Sequence, residues 1–157
     1  MKYTHFAYVC LFIFFILGLT SLRAQQSMID PVKWYADLTM VEEGKYRLGV
    51  TAETEPGWVI YSQFIDDDGP IPTSFEVELP EGAQLIGDFK EPENGIKKMD
   101  EMFGMELTKY KGPATFSQNL TARSTLSRVT GRVMYMTCND IKCLPPKEIS
   151  FQAKLSN

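Results

Sequence analysis

Residues 127–146 read Ser-Arg-Val-Thr-Gly-Arg-Val-Met-Tyr-Met-Thr-Cys-Asn-Asp-Ile-Lys-Cys-Leu-Pro-Pro. Up to Cys138 the side chains alternate between two sides of the chain, which is the period of a β-strand. One side would carry Val129, Gly131, Val133, Tyr135 and Thr137, and the other Arg128, Thr130, Arg132, Met134, Met136 and Cys138. We therefore expect one strand that ends at Cys138, followed by a four-residue turn to Cys143 and an exit stiffened by proline.

The same period of two recurs along the chain and indicates the fold class. Half-buried strands are predicted over residues 34–40, 46–52, 75–79, 114–120 and 149–155. Turn signals rich in Gly and Pro separate these runs, and no segment has the sustained apolar stripe of a helix. The sequence therefore predicts an all-β protein, an immunoglobulin-like β-sandwich. Residues 87–108 lack clear strand character, so we expect a long functional loop there.

The N-terminus is typical of a secretory signal peptide. A basic residue precedes an apolar run over residues 6–19, and a short segment with small residues then leads to Ala24. We expect residues 1–24 to be removed and residues 25–157 to form one domain that is exported to the periplasm and has no membrane span left. Two of the three cysteines and no histidine would remain in that domain.

Composition excludes several classes of function. The chain carries a formal net charge of −4, and removal of the signal peptide takes away two basic residues and no acidic one. An acidic domain argues against nucleic acid and anionic membrane surfaces as partners, so we expect a protein partner or a small ligand. Without histidine the domain has no Ser-His or Cys-His nucleophile pair and no His-ligated zinc.

Cys138 and Cys143 leave three interpretations open at this point. In secreted proteins most cysteine pairs are structural disulfides. A ring closed over so few residues stabilises a fold by only about 2 kcal/mol, which favours a redox role. A Cu(I) site comes third, because Met134, Met136 and Cys138 share one side of the predicted strand. We favour methionines that fill gaps in the core, so no metal and no cofactor are expected.

Three motifs carry a resemblance to a known family. They are Cys138 and Cys143 with Leu-Pro-Pro after them, the upstream segment Asp100-Glu-Met-Phe-Gly104, and the earlier segment Gly57-Trp-Val-Ile-Tyr61. In their order and spacing they resemble the N-terminal periplasmic domain of the thiol:disulfide interchange protein DsbD. That family has an immunoglobulin-like domain whose cysteine pair lies under a cap loop.

The resemblance implies thiol–disulfide exchange in the periplasm and a role for each motif. Cys143 would attack a partner disulfide, and Cys138 would resolve the mixed disulfide. Met102 and Phe103 would shield the sulfurs until a partner moves the loop. The cap loop as a whole would comprise Asp100, Glu101, Met102, Phe103 and Gly104, with Tyr61 beside the active site. The charges of Asp100 and Glu101 would keep the pKa of the nearby thiols from falling.

The resemblance also implies partners and makes some departures visible. The partners would be periplasmic thioredoxin-like or disulfide-isomerase proteins, including those of cytochrome c biogenesis. Four residues rather than five separate the cysteines, and Met102 occupies a cap position that is usually aromatic. The chain has no membrane conduit, so a separate membrane or thioredoxin-like electron donor is expected. The rival interpretation is a secreted binding or adhesion module whose disulfide is purely structural.

Overall fold

The computed structural model describes residues 30–66 and 68–156, and these residues form an all-β fold, as predicted. The predicted signal peptide, residues 1–24, lies outside the described residues. Within the described ranges, no helix is long and apolar enough to cross a membrane.

The described chain forms eleven strands, most of which follow the predicted period-two segments. They are β1 (Val32–Glu42), β2 (Lys45–Thr54), β3 (Val59–Tyr61), β4 (Ser74–Glu78), β5 (Ala83–Lys90), β6 (Ile96–Asp100), β7 (Met105–Tyr110), β8 (Ala114–Ala122), β9 (Arg128–Tyr135), β10 (Thr137–Cys138) and β11 (Lys147–Leu155).

The strands form two sheets, and the prediction of an immunoglobulin-like β-sandwich is confirmed. The larger sheet has seven strands in the order β4-β9-β11-β1-β2-β8-β5, and the smaller has four in the order β10-β3-β7-β6. Paired strands run antiparallel except β1 and β11, which are parallel. The cysteines lie at one edge of the smaller sheet, since β10 is its first strand.

Apolar side chains from both sheets meet in a shared core. Its buried members are Val32, Ala52, Ile60, Tyr110, Ala114, Phe116 and Tyr135. In β2, the alternate residues Tyr46, Leu48, Val50 and Ala52 are each at most 2% exposed, as the period of two predicts. Complete burial of a large aliphatic or aromatic side chain contributes about 1.5–3 kcal/mol, so this alternation stabilises the sandwich.

The expectation of a long loop over residues 87–108 is wrong. Most of that stretch is the end of β5 and the antiparallel hairpin of β6 and β7. The first four residues of β6, the outer strand of the smaller sheet, are all exposed. A strand without a buried side has no alternation of apolar and polar residues and gives no period-two signal.

The expected single strand through Cys138 is also wrong, because the strand is interrupted at Met136. β9 ends at Tyr135 and pairs with β4 and β11 in the larger sheet, whereas β10 pairs with β3 in the smaller one. The chain therefore passes from one sheet to the other just before Cys138. Met134 and Cys138 lie on strands of different sheets, which removes the strand argument for a Cu(I) site.

Candidate functional site

Cys138 and Cys143 are joined by a disulfide bond across the four-residue turn between them. The residues on either side of the pair make the backbone hydrogen bonds: Asn139 N donates to Lys142 O at 2.9 Å, and Leu144 N donates to Thr137 O at 2.9 Å. The cysteines are thus a non-hydrogen-bonded antiparallel pair, the kind in which Cα atoms come closest, at about 4.5 Å. Their Cα atoms are 4.0 Å apart.

The turn between the cysteines, residues 139–142, is held by the side chain of Asn139. Its Oδ1 accepts hydrogen bonds from the backbone N–H of Ile141 at 2.9 Å and of Lys142 at 2.8 Å. A side chain of this length bonded to backbone groups two and three residues ahead is a standard way to close a tight turn. We call residues 139–142 the cysteine turn.

Replacement of Asn139 with Ala is expected to lower the free energy of unfolding by about 1 kcal/mol, because two backbone N–H groups lose their acceptor and must turn to water. Urea unfolding of the disulfide form measures this loss. The matched control is Asp140→Ala in the same turn, whose side chain makes no hydrogen bond within the described structure and should change stability by less than about 0.5 kcal/mol. An equal loss in both variants would contradict the role given to Asn139.

The sequence motif Gly57-Trp-Val-Ile-Tyr61 is the neighbouring strand of Cys138. Its last three residues form β3, in which Val59 pairs with Cys138 and Ile60 with Thr137. The Thr137 hydroxyl also donates to Val59 O at 2.8 Å. Cys138 is therefore fixed in the sheet and is 2% exposed, whereas Cys143, beyond the turn, is partly exposed.

The cap, which we define as residues 100–104, connects β6 to β7 and lies over the disulfide. Met102 places its Sδ 3.1 Å from Cys143 Sγ. Phe103 packs edge-on against Tyr61, with ring centroids 5.9 Å apart and an interplanar angle of 83°. Gly104 has φ of 66°, a conformation that favours glycine and lets the chain turn into β7.

Asp100 organises the cap through both of its carboxylate oxygens. Oδ1 accepts the backbone N–H of Met102 at 2.9 Å and of Phe103 at 3.3 Å. Oδ2 lies 2.6 Å from Lys109 Nζ and accepts the Tyr61 hydroxyl at 3.4 Å. The Asp100 side chain is only 6% exposed and that of Lys109 14%, so this ion pair is nearly enclosed.

The pKa values of this group follow from its contacts. Burial by itself raises the pKa of Asp100, but the hydrogen bond from Lys109, the backbone N–H of Met102 and the charge of Lys109 outweigh it, so the pKa lies below its ordinary value. Burial, followed by the charge of Asp100 and the hydrogen bond to it, raises the pKa of Tyr61. The site at neutral pH therefore holds an ionised Asp100 and a neutral Tyr61.

The structure brings most of the predicted site residues together. Cys138 and Tyr61 belong to one buried apolar cluster, against which Phe103 and Cys143 pack. Glu101 differs from these residues, because its side chain is exposed to solvent. The negative charge of Asp100, expected to act on the thiols, is paired with Lys109 and so is largely offset.

Sequence reasoning missed Lys109 and the role of Asn139. Lys109 follows Met105 and Leu107 at a spacing of two, on the side of β7 that packs toward the cysteines. A lysine at an otherwise apolar position of such an alternation was the available signal, since a buried lysine needs a partner. The residues before Lys109 are predicted to form a loop, so the sequence gives no strand in which its position would stand out.

A cleft of about 320 Å³ opens beside Cys138, between the cysteine turn and the β6–β7 hairpin. Its lining combines both signs of charge with apolar groups, including Lys98, Lys111, Glu101, Asp140, Ile96 and Met99. Ile96 and Met99 are 48% and 61% exposed. The site thus offers an apolar and charged surface next to the disulfide.

Comparison with known proteins identifies similar domains. The family model described as thiol:disulfide interchange protein DsbD, N-terminal, matches residues 25–155. No curated protein sequence matches the chain.

Solved structures resemble this chain at low sequence identity, and the first two described below show the same fold. The N-terminal periplasmic domain of ScsB from Proteus mirabilis has a TM-score of 0.58 and 16% identity over 80% of this chain, which spans 47% of that chain. The reduced DsbD N-terminal domain of Neisseria meningitidis has a TM-score of 0.51 and 19% identity over 77% of this chain and 84% of that one. A complex of the DsbD N-terminal and PilB N-terminal domains from Neisseria meningitidis has a TM-score of 0.48 and 18% identity, over 76% of this chain and 80% of that one.

Proposed function

This chain belongs to the family of DsbD N-terminal domains, and from that premise we propose that it is a thiol–disulfide exchange domain. In this proposal Cys138 and Cys143 relay reducing equivalents to partner proteins. The observation that carries it is the unequal access of the two sulfurs. Cys138 is buried in the sheet, whereas Cys143 is partly exposed and lies against one side chain of the cap, Met102.

Unequal access suits the two steps of exchange. The Cys143 thiolate attacks a partner disulfide, forms a mixed disulfide and releases one partner thiolate. The Cys138 thiolate then attacks Cys143 Sγ, closes the intramolecular disulfide and releases the second partner thiolate. Two electrons pass to the partner, and the domain ends in the disulfide form described above. A purely structural disulfide has no need of one accessible sulfur under a separate cap.

The cap adds control of access. A partner must displace Met102 to reach Cys143, so the sulfurs are shielded from small oxidants between encounters. The Asp100–Lys109 pair holds the cap in place without contributing a charge that repels the thiolate. In this proposal Tyr61 packs against Phe103 and donates a hydrogen bond to Asp100. The exposed side chain of Glu101 contacts the partner.

We further propose that the partners are periplasmic thioredoxin-like or disulfide-isomerase proteins, including those that serve cytochrome c biogenesis. The cleft beside Cys138 supports a polypeptide partner, because it mixes apolar groups with charges of both signs. The proposal also includes export by a signal peptide over residues 1–24. A separate membrane or thioredoxin-like protein would supply the electrons. The family match and the periplasmic location of the similar ScsB domain support this placement.

The reduction potential of the Cys138–Cys143 pair tests the proposed function. The domain is equilibrated with defined thiol–disulfide buffers, and free thiols are counted by mass spectrometry. We expect a value between about −120 and −270 mV, the range of exchange proteins. A potential below about −300 mV, or a pair that reacts only when the domain unfolds, would instead indicate a structural disulfide in a binding or adhesion module.

A further inference from the structure

The thioether sulfur of Met102 touches the disulfide. Its Sδ lies 3.1 Å from Cys143 Sγ, and Met102 is 46% exposed. Because Cys143 is bonded to Cys138 it has no S–H to donate, so this is a packing contact between two sulfur atoms. Met102 therefore covers Cys143 on one side and faces solvent on the other, where a soluble oxidant can reach it.

We propose that Met102 is an oxidation site through which a peroxide controls access to Cys143. This inference rests on the proposed exchange function of the pair. In the reaction with hydrogen peroxide the thioether sulfur attacks one oxygen, the O–O bond breaks and an S–O bond forms, and the proton on the transferred oxygen passes to the departing hydroxide. The sulfur loses two electrons, the peroxide gains them and leaves as water, and the product is methionine sulfoxide.

Because one side of the Met102 sulfur is in contact with Cys143 Sγ, the oxygen is added on the side that faces solvent. The backbone of the cap is held, because the Asp100 carboxylate accepts the N–H groups of Met102 and Phe103. The added oxygen makes the sulfur polar, so the side chain turns this group toward water and away from the disulfide. Cys143 then loses its cover.

Neighbouring residues make this effect specific to Met102. Met105 and Met136 are partly buried against the cluster that contains Cys138. Phe103 contacts Tyr61 and Cys138 is 2% exposed in the sheet, and neither depends on a contact with Met102, so we expect Cys138 to stay buried. Met99 is 61% exposed and oxidisable, but it lies on β6 rather than in the cap. Oxidation of Met102 thus exposes Cys143, the sulfur that begins exchange.

The test measures how fast glutathione reduces the disulfide of the full domain. The disulfide form is treated with hydrogen peroxide, which spares bonded cysteines, and peptide mass spectrometry confirms sulfoxide at Met102. The reduction rate is expected to rise about ten-fold, because the rate depends on access to the attacked sulfur. In Met102→Leu the treatment leaves the rate unchanged, although Met40 and Met99 are still oxidised. Met102→Gln, which places a polar amide in the cap, has the raised rate without peroxide.

Met99→Leu is the second control and should keep the full response of the wild type. An unchanged rate in wild type that carries the Met102 sulfoxide would overturn the proposal, as would an equal rise in treated Met102→Leu. Glutathione takes the place of a protein partner in this assay, so its result does not depend on relay activity. Failure of the proposed relay would be seen separately, as a reduction potential below about −300 mV, the range of structural disulfides.

Discussion

Cys138→Ser is expected to leave a Cys143 thiol that forms a mixed disulfide with glutathione, whereas the Cys138 thiol of Cys143→Ser should react about 100-fold more slowly. The physical reason is access, since Cys138 is 2% exposed within the sheet and Cys143 is partly exposed under Met102. Each variant is incubated with glutathione disulfide, and the adduct is followed over time by mass spectrometry.

The same two variants in concentrated urea provide the control. Once the fold is lost both thiols are exposed, so their rates should become similar. A difference that persists in urea would mean that the local sequence, not the fold, sets reactivity. Equal rates in the folded state would contradict the assignment of Cys143 as the sulfur through which exchange begins. With a thioredoxin-like protein disulfide in place of glutathione, Cys138→Ser should trap a protein–protein adduct.

The parts of the fold that could be predicted are those whose local pattern carries the information. β2 and β11 alternate because each buries one side, and the burial of Tyr46, Leu48, Val50 and Ala52 follows that pattern. The motifs at residues 57–61, 100–104 and 138–143 are separate segments in the sequence. The structure shows that they are adjacent. β10 pairs with β3, and the cap contacts Cys143 through Met102 and Tyr61 through Phe103.

The parts that could not be predicted depend on long-range pairing. β6 has no buried side until Asp100, so its sequence lacks the signal of a strand. The passage between sheets at Met136 does not disturb the alternation of residues 127–138, and it shows only in which strands pair. In the register of the β6–β7 hairpin Asp100 pairs with Met105 and Lys109 with Ile96, so Lys109 reaches Asp100 only through the length of its side chain. Neither residue alone identifies the other as its partner.

Replacement of Asp100 with Asn is expected to lower the free energy of unfolding by about 3 kcal/mol, because the enclosed Lys109 ammonium then has no opposite charge. The amide also accepts more weakly from the backbone of Met102 and Phe103, so reduction of the disulfide by glutathione should become faster as the cap loosens. Urea unfolding gives the first quantity and thiol counting the second. Glu106→Gln is the matched control, since its ion pair with Lys97 lies on the same hairpin at 2.9 Å but is well exposed. It should cost less than about 1 kcal/mol.

The pH dependence of the unfolding free energy separates the effect of the Asp100 charge from the effect of its side-chain shape. Its pKa in the folded protein lies below the ordinary value of 3.8, so its contribution to stability is complete above that value and is lost as the pH falls through the lower folded pKa. The difference in unfolding free energy between wild type and Asp100→Asn should therefore be largest above pH 3.8 and shrink on acidification. A difference that stays constant across this range would mean that the amide disturbs packing and that the ion pair does not hold the cap. In that case the charge pair with Lys109 would make no contribution to stability. The faster reduction of the variant would then be attributed to local disorder in the cap.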